Sequence, residues 1–320
     1  MAVVTLKKIW KNEYIQTAIM IALMVGAVFG LWYGSQLVLN TEYPALAVVS
    51  TSMLPTLNVG DVIIVQGVNA IQINADYYTG DIVVFRDPSK PDYRIVHRAV
   101  KIENTSNGYW ITTRGDNVGG DKDQFSPWHE SFLIGKVIAR VPYVGNFSLL
   151  LNAYGTFYYF VFIIIIIINI ILSLVFSSEK DKTVEEPKKP EKINIGTIFF
   201  IIFNVLLIGF ALFSVIGSFT FWQIGAEPPQ YVTIRGMYTD LQYQATYKPP
   251  QSNINGAFLY PSIFTYQIDC LVNGNIRTGV PTFSWLQASI LVLVVYDLWE
   301  LNKKWHLGEK LKQRLSSLYK

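Results

Sequence analysis

Residues 14–39, YIQTAIMIALMVGAVFGLWYGSQLVL, contain no Asp, Glu, Lys or Arg. At about 1.5 Å per residue, a helix of this length crosses the hydrocarbon core of a bilayer. Lys7, Lys8 and Lys11 precede it. A cleaved leader has the same order of charge and apolar run, and Ala45-Leu46-Ala47 resembles a cleavage site. A leader's apolar core is only about 7–15 residues, however. The stretch therefore reads as an uncleaved anchor.

The rest of the chain agrees with a membrane setting. Of its 320 residues 51% are apolar and 15% charged, against about 25% charged in ordinary soluble domains. Three more apolar blocks follow: Phe157 to Phe176, Thr197 to Phe221, and the shorter Phe283 to Tyr296, closed by Asp297 and Glu300. Trp10, Trp32, Trp222, Trp285 and Trp299 lie at or near block ends, where indole rings favour the interface. Lysines and arginines cluster before the first block, between the second and third, and after the fourth. Four crossings place all three clusters on one side, the cytoplasmic one. The expected organisation is a cytoplasmic N-terminus 1–13, an anchor 14–39, an extracytoplasmic β domain 40–156, spans at 157–177, 195–222 and 283–299, a charged cytoplasmic linker 178–194, a smaller β-rich outer segment 223–282, and a basic cytoplasmic tail 300–320.

The net charge of +3 and the absence of a basic stripe exclude a nucleic-acid binder. The single cysteine, Cys270, excludes an intrachain disulfide framework and any cysteine-based zinc site. No cofactor and no metal centre is expected.

Region 40–150 reads as β. Short β-branched runs at Val62–Val65, Ile82–Phe85, Ile95–Val100, Tyr109–Thr112 and Ile134–Val141 alternate with turns at Gly60-Asp61, Gly80-Asp81 and Gly115-Asp116. Strands of that length between such turns predict an all-β barrel or sandwich. Within it, Ser50-Thr51-Ser52-Met53-Leu54-Pro55-Thr56 ends a strand in hydroxyls before a proline that turns the chain. A serine there is a weak nucleophile without a base. On its own the motif is more simply a turn satisfied by Ser and Thr.

Three histidines are available as bases. His97 shares a strand face with Ile95 and Ala99 and is expected to be partly desolvated and neutral. His129 reads as a surface loop residue, and His306 lies in the tail. In Arg114–Gln124 (RGDNVGGDKDQ), Asp116, Asp121 and Asp123 are candidates to orient a histidine. Asx turns or a weak calcium loop explain the same three residues, although no Glu closes an EF-hand pattern there.

Taken in order, these motifs resemble type I signal peptidase, in its archaeal and endoplasmic-reticulum, serine–histidine branch. The resemblance rests on Ser52-Met53-Leu54-Pro55-Thr56, Gly60–Val65, Gly80–Phe85, Ile95-Val96-His97-Arg98, Gly115-Asp116-Asn117 and Ile134–Val137, and covers residues 1 to about 155. It implies a membrane-anchored serine endopeptidase that removes signal peptides from exported preproteins. It also implies a β catalytic domain on a helical anchor, in an archaeal-type plasma membrane or the endoplasmic reticulum. Membrane lipid and the secretion translocon are the further partners it suggests. Ser52 matches the nucleophile, His97 the general base, and Asp116 the Gly-Asp-Asn aspartate. Ser50, with the Ser52 N–H, matches the oxyanion donors. The family's second aspartate falls on Lys122, and a one-residue shift brings Asp123 into register. Asp123 is therefore expected to orient His97, with Asp116 second and Asp121 the alternative acid. A catalytically silent scaffold or surface-assembly factor on the same fold is the competing reading. The extra spans and the outer segment carry no motif.

Overall fold

A computed structural model of the chain describes residues 13–147, 149, 195–222 and 231–305. The expected second span at 157–177 and the linker at 178–194 lie outside the described residues, as does the tail beyond residue 305. The described chain forms two compact units. One holds the residues up to Leu46 together with Ile63–Ala139, and the other holds Ala47–Val62 and the residues from Arg140 onward.

The first unit begins with helix α1, Glu13–Leu39. Its stretch Ala22–Leu39 is long and apolar enough to cross a membrane and is not buried among the described residues. A helix apolar on every side finds its favourable solvent in lipid. The short strand β1, Ala45–Ala47, follows and pairs with β2, Val62–Gln66. Next come β3, Ile82–Arg86, β4, Arg94–Thr105, β5, Gly108–Arg114, β6, Trp128–His129, and β7, Leu133–Val141.

Strand β3 is central. It pairs antiparallel with β4, setting Val83 opposite His97, and antiparallel with β7, setting Val83 opposite Lys136. A central strand is buried on both faces and needs consecutive apolar residues rather than alternation. Ile82, Val83, Val84 and Phe85 supply them and are all buried. The core collects on Phe85, whose ring stacks on Trp128 at 4.2 Å, with Val83, Ala99, Ile111, Ala70 and Ile73 around it. Strand β4 continues antiparallel to β5, with an irregular register between Ala99 and Lys101. Such bulges bend a strand and redirect its side chains.

The second unit contains α2, Ile195–Ile216, β8, Ser218–Trp222, β9, Tyr231–Arg235, α3, Met237–Thr246, β10, Ile254–Pro261, β11, Thr265–Val272, β12, Asn275–Arg277, β13, Thr282–Phe283, and α4, Trp285–Trp305. Helix α2 supplies the second segment, Ile198–Ile216, that is long and apolar enough to span. The expected span 195–222 therefore stops six residues early. Gly217 donates its N–H to the Phe213 carbonyl at 2.8 Å, and a Cβ there would sit 2.2 Å from the Phe213 ring. The apolar residues that follow belong to β8, which pairs antiparallel with β9. Where the span 283–299 is expected, the chain forms helix α4 from Trp285, which is not among the described segments apolar enough to cross a membrane, and Phe283 lies in β13. Phe200 and Phe203 of α2 pack on Tyr296 of α4, the second edge-on at 4.6 Å.

The outer segment is not wholly β, because α3 interrupts it. The sequence MYTDLQYQAT shows little apolar periodicity. Its buried face is built from Asp240 and Gln244, one turn apart, instead of leucines. Strand β11, by contrast, alternates strictly between buried and partly buried residues, as a half-covered strand does.

Removing the aromatic centre tests the core assignment. Phe85→Ala is expected to lower unfolding stability by about 3–5 kcal/mol, measured by denaturant titration of the purified protein. A loss below about 1 kcal/mol contradicts it.

Candidate active site

In the first unit, β4 carries His97 and Arg98 as consecutive residues, so their side chains leave opposite faces of the strand. Both are buried, at 7% and 2% exposure. His97 Nδ1 lies 2.6 Å from Asp123 Oδ2. The carboxylate is held from other directions as well. Thr113 Oγ1 donates to Oδ2 at 2.8 Å, and the Gly115 N–H to Oδ1 at 3.3 Å. Asp123 is fixed to β5 through its own N–H, which donates to the Thr113 carbonyl at 2.8 Å. The Trp128 indole N–H donates to Thr113 Oγ1 at 3.1 Å, tying the pair to the core. A carboxylate that accepts from Nδ1–H holds the imidazole in the tautomer whose Nε2 lone pair is available. The short, buried contact favours any positive charge that develops on the ring.

The three candidate aspartates separate by placement. Asp123 is buried against His97. Asp116 is buried too, but both its oxygens accept from Arg98, Oδ1 from Nε and Oδ2 from Nη2, each at 2.9 Å. The same guanidinium donates from Nη1 to the Gly80 carbonyl at 2.8 Å. Asp116 therefore pins the loop after β5 to β4 with a bidentate pair. Asp121 is exposed, as is Lys122. His129, expected on a surface loop, lies on the short strand β6, with Nε2 2.8 Å from the Asn107 carbonyl and Nδ1 2.9 Å from Ser131 Oγ. His306 lies outside the described residues.

In the second unit, Ser50 and Ser52 lie on a loop closed at its base. Val48 N–H donates to the Asp61 carbonyl at 2.8 Å, and Gly60 N–H to the Val48 carbonyl at 2.9 Å. The two hydroxyl oxygens are 3.2 Å apart, with Ser50 exposed and Ser52 half-buried. Beyond them the loop turns inward. Met53, Leu57 and Asn58 are buried, and the Leu57 N–H donates to the Met53 carbonyl at 2.9 Å. Gly60 turns the chain at φ +86°, and a Cβ there would collide with the Asn146 side chain at 2.1 Å. Asn146, in one of two glycosylation sequons, is thus buried, whereas Asn104 in the other is exposed.

Asp61, fully buried, gathers the loop. Its Oδ2 accepts from the Asn58 N–H at 2.8 Å and from Arg140 Nη1 at 3.0 Å, and its Oδ1 accepts from the Tyr143 N–H at 3.2 Å. Burial pushes the Asp61 carboxyl above the usual carboxylate range, although Arg140 pulls the other way. In the sequence Asp61 reads as a turn residue and Arg98 as part of the His97 motif, and nothing there gives Thr113 or Arg140 a role. Alternation on a strand does not distinguish a buried arginine from a solvated one. The available signal was three arginines, Arg94, Arg98 and Arg114, on strands that otherwise read as half-buried. No cluster of metal-ligating residues occurs among the described residues.

Comparison with known proteins adds to this geometry. The family of signal peptidases, peptidase S26, matches residues 12–103. The signal peptidase complex catalytic subunit SEC11 of Colletotrichum graminicola is 32% identical over 138 residues, covering 42% of this chain and 78% of that protein. SEC11C of Homo sapiens is 29% identical over 160 residues, covering 48% of this chain and 81% of that protein. SEC11 of Metarhizium acridum is 32% identical over 136 residues, covering 41% and 77%. Each match leaves more than half of this chain without a counterpart.

Two outcomes test these placements. Asp116→Ala strands a buried guanidinium and is expected to lower stability by about 3–5 kcal/mol, whereas Asp121→Ala, on the surface, shifts it by no more than about 0.5 kcal/mol. Equal losses in thermal or denaturant unfolding contradict the division of roles. The second concerns pH. A raised Asp61 pKa means that the folded state binds this proton more tightly than the unfolded chain does. The group's contribution is therefore greatest near or below its ordinary value of 3.8 and falls as pH rises through its folded pKa. Wild type is expected to gain on Asp61→Asn as pH is lowered from neutral towards that value. A melting-temperature gap that widens upward in pH contradicts this.

Proposed function

The chain belongs to the signal peptidase family, peptidase S26, and from that premise we propose that it removes signal peptides from exported preproteins, as a membrane-anchored serine endopeptidase with Ser52 as nucleophile and His97 as general base. The observation that carries the site assignment is the buried His97–Asp123 contact at 2.6 Å. Similarity to proteins named as catalytic subunits of the signal peptidase complex supports the substrate class. The silent-scaffold reading loses its motive, since Lys122 is exposed while its neighbour Asp123 takes the histidine.

In the proposed mechanism, His97 Nε2 accepts the Ser52 hydroxyl proton as Oγ attacks the scissile carbonyl. Negative charge collects on the carbonyl oxygen. The Ser52 N–H and the Ser50 hydroxyl donate to it. Asp123 stabilises the imidazolium without taking its proton. The imidazolium gives that proton to the departing amine of the mature chain, which leaves an acyl-enzyme. Water, deprotonated by the same Nε2, then attacks the ester, and Ser52 recovers its proton. Small side chains at the first and third positions before the cut suit shallow pockets, which discriminate by bulk.

The anchor supplies the rest. Helix α1 ends at Leu39, and Ser52 follows 13 residues later. In this reading the catalytic residues lie just outside the bilayer, where a preprotein held by its own apolar segment meets them at high effective concentration. The lysines flanking the apolar blocks favour cytoplasmic termini. Lipid is a direct partner of this arrangement, and the secretion translocon an adjacent one.

The test is cleavage of a preprotein by the purified full chain in liposomes. Ser52→Ala and His97→Ala are expected to lower kcat by about 10⁴-fold, and Asp123→Asn by a similar factor. Ser50→Ala is expected to cost about 10²-fold. Folded wild type that leaves every preprotein intact, or Ser52→Ala that cuts at the wild-type rate, overturns the proposal.

A further inference from the structure

The second unit buries three ionisable groups together. Arg140 is 2% exposed, Asp61 0% and Asp240 1%. Arg140, near the end of β7, uses its whole guanidinium. Nη1 donates to Asp61 Oδ2 at 3.0 Å and to the Thr56 carbonyl at 3.1 Å, and Nε to Thr282 Oγ1 at 2.7 Å. Nη2 donates to Asp240 Oδ2 at 2.5 Å. Thr56 and Asp61 belong to the loop that carries Ser52. Asp240 belongs to α3 and Thr282 to β13, both beyond residue 155, where the resemblance to the family stops.

Stability alone is a poor account of this cluster. Two carboxyl groups share one guanidinium out of water, and burial already raises the Asp61 carboxyl. Asp240 Oδ1 is buried without a partner among the described residues. A buried oxygen in that state is a cost. Apolar residues of similar volume often replace a buried ion cluster at no loss. What apolar residues do not supply is direction: a planar guanidinium with four fixed acceptors has one orientation.

The same helix faces the loop elsewhere. Tyr243 of α3, stacked under the Arg235 guanidinium at 3.7 Å, lines a cleft of about 140 Å³ together with Thr51 and Leu54, on either side of Ser52-Met53. We propose that Asp240 is a positioning residue for the nucleophile: acting through Arg140, it fixes the Thr56–Asp61 half of the loop that presents Ser52. The proposal rests on the peptidase reading for its catalytic consequence. Its structural half, the clamp itself, stands apart from that reading. The C-terminal segment is thereby part of the catalytic apparatus, not an appendage to it.

Two readouts on the full chain decide it, preprotein cleavage per folded molecule and amide hydrogen exchange over residues 50–61. Asp240→Ala is expected to lower kcat by about 10²-fold, the effect of a displaced reacting group, with KM within about threefold of wild type. It is also expected to speed exchange at Leu57 and Asn58 by about tenfold or more, while β3 and β4 stay protected. Asp240→Asn keeps an acceptor for Arg140 and should recover most of both. Thr282→Val removes one neutral acceptor and gives a milder loss in the same direction, which serves where Asp240→Ala does not fold. A variant with wild-type kcat and wild-type loop exchange overturns the clamp, as does a rise in KM alone. Wild type that cleaves nothing sinks the peptidase reading instead, and loop exchange then still decides the clamp.

Discussion

A guanidinium cannot lose its proton, so once removed from water it must meet acceptors along every edge. Among the described residues the two most deeply buried arginines, Arg98 and Arg140, are met in this way. Arg98 meets Asp116 and the Gly80 carbonyl. Arg140 meets Asp61, Asp240, Thr282 and the Thr56 carbonyl. Each arginine leaves a strand, where its backbone is fixed, and reaches into a loop, where otherwise little is. Arg98 organises the loop that begins at Asp116 and leads to Asp123. Arg140 organises the loop that begins at Ser52. His97 stands on β4 beside Arg98, and Ser52 on the loop that Arg140 holds.

This explains which features were legible in the sequence. The strands were readable because β3 and β4 are driven by burial of Val, Ile and Phe, and burial leaves a pattern. Helix α1 was readable because 26 charge-free residues have few other fates in water. Helix α3 was hidden because its buried face is Asp240 and Gln244, which in a sequence look like surface. The end of α2 was misplaced for a related reason: Phe219 and Phe221 are as apolar as the helix before them, and only Gly217 marks the stop.

The candidate site was legible to the same degree. Motif order singled out Ser52 and His97 from a short list of possibilities. It ranked Asp123 ahead of Asp116 only through a one-residue shift of register. Burial and partners divide their roles, since Asp116 is committed to Arg98 with both oxygens and Asp123 faces the imidazole. A carboxylate already neutralised by a bidentate guanidinium has little field left to offer a developing imidazolium. Asp123 is held by neutral donors, Thr113 and the Gly115 N–H, and has the imidazole as its ionisable partner.

The two halves of the proposed chemistry therefore call for different kinds of support. A histidine and its carboxylate must be correct in electrostatics, and a buried strand with neutral hydrogen-bond donors provides that cheaply in chain length. A nucleophilic serine must be correct in position, because attack on a carbonyl tolerates small errors poorly. It must also stay open to substrate, so its loop cannot be packed from every side. The loop meets both demands by being exposed at Ser50 and half-buried at Ser52, and clamped from Thr56 to Asp61. A clamp needs an anchor outside the loop, and in this chain Asp240 and Thr282 provide it. Chain length beyond residue 155 is in this sense the cost of a proposed nucleophile on a loop that must stay accessible, with the guanidinium of Arg140 as the part that transmits the constraint.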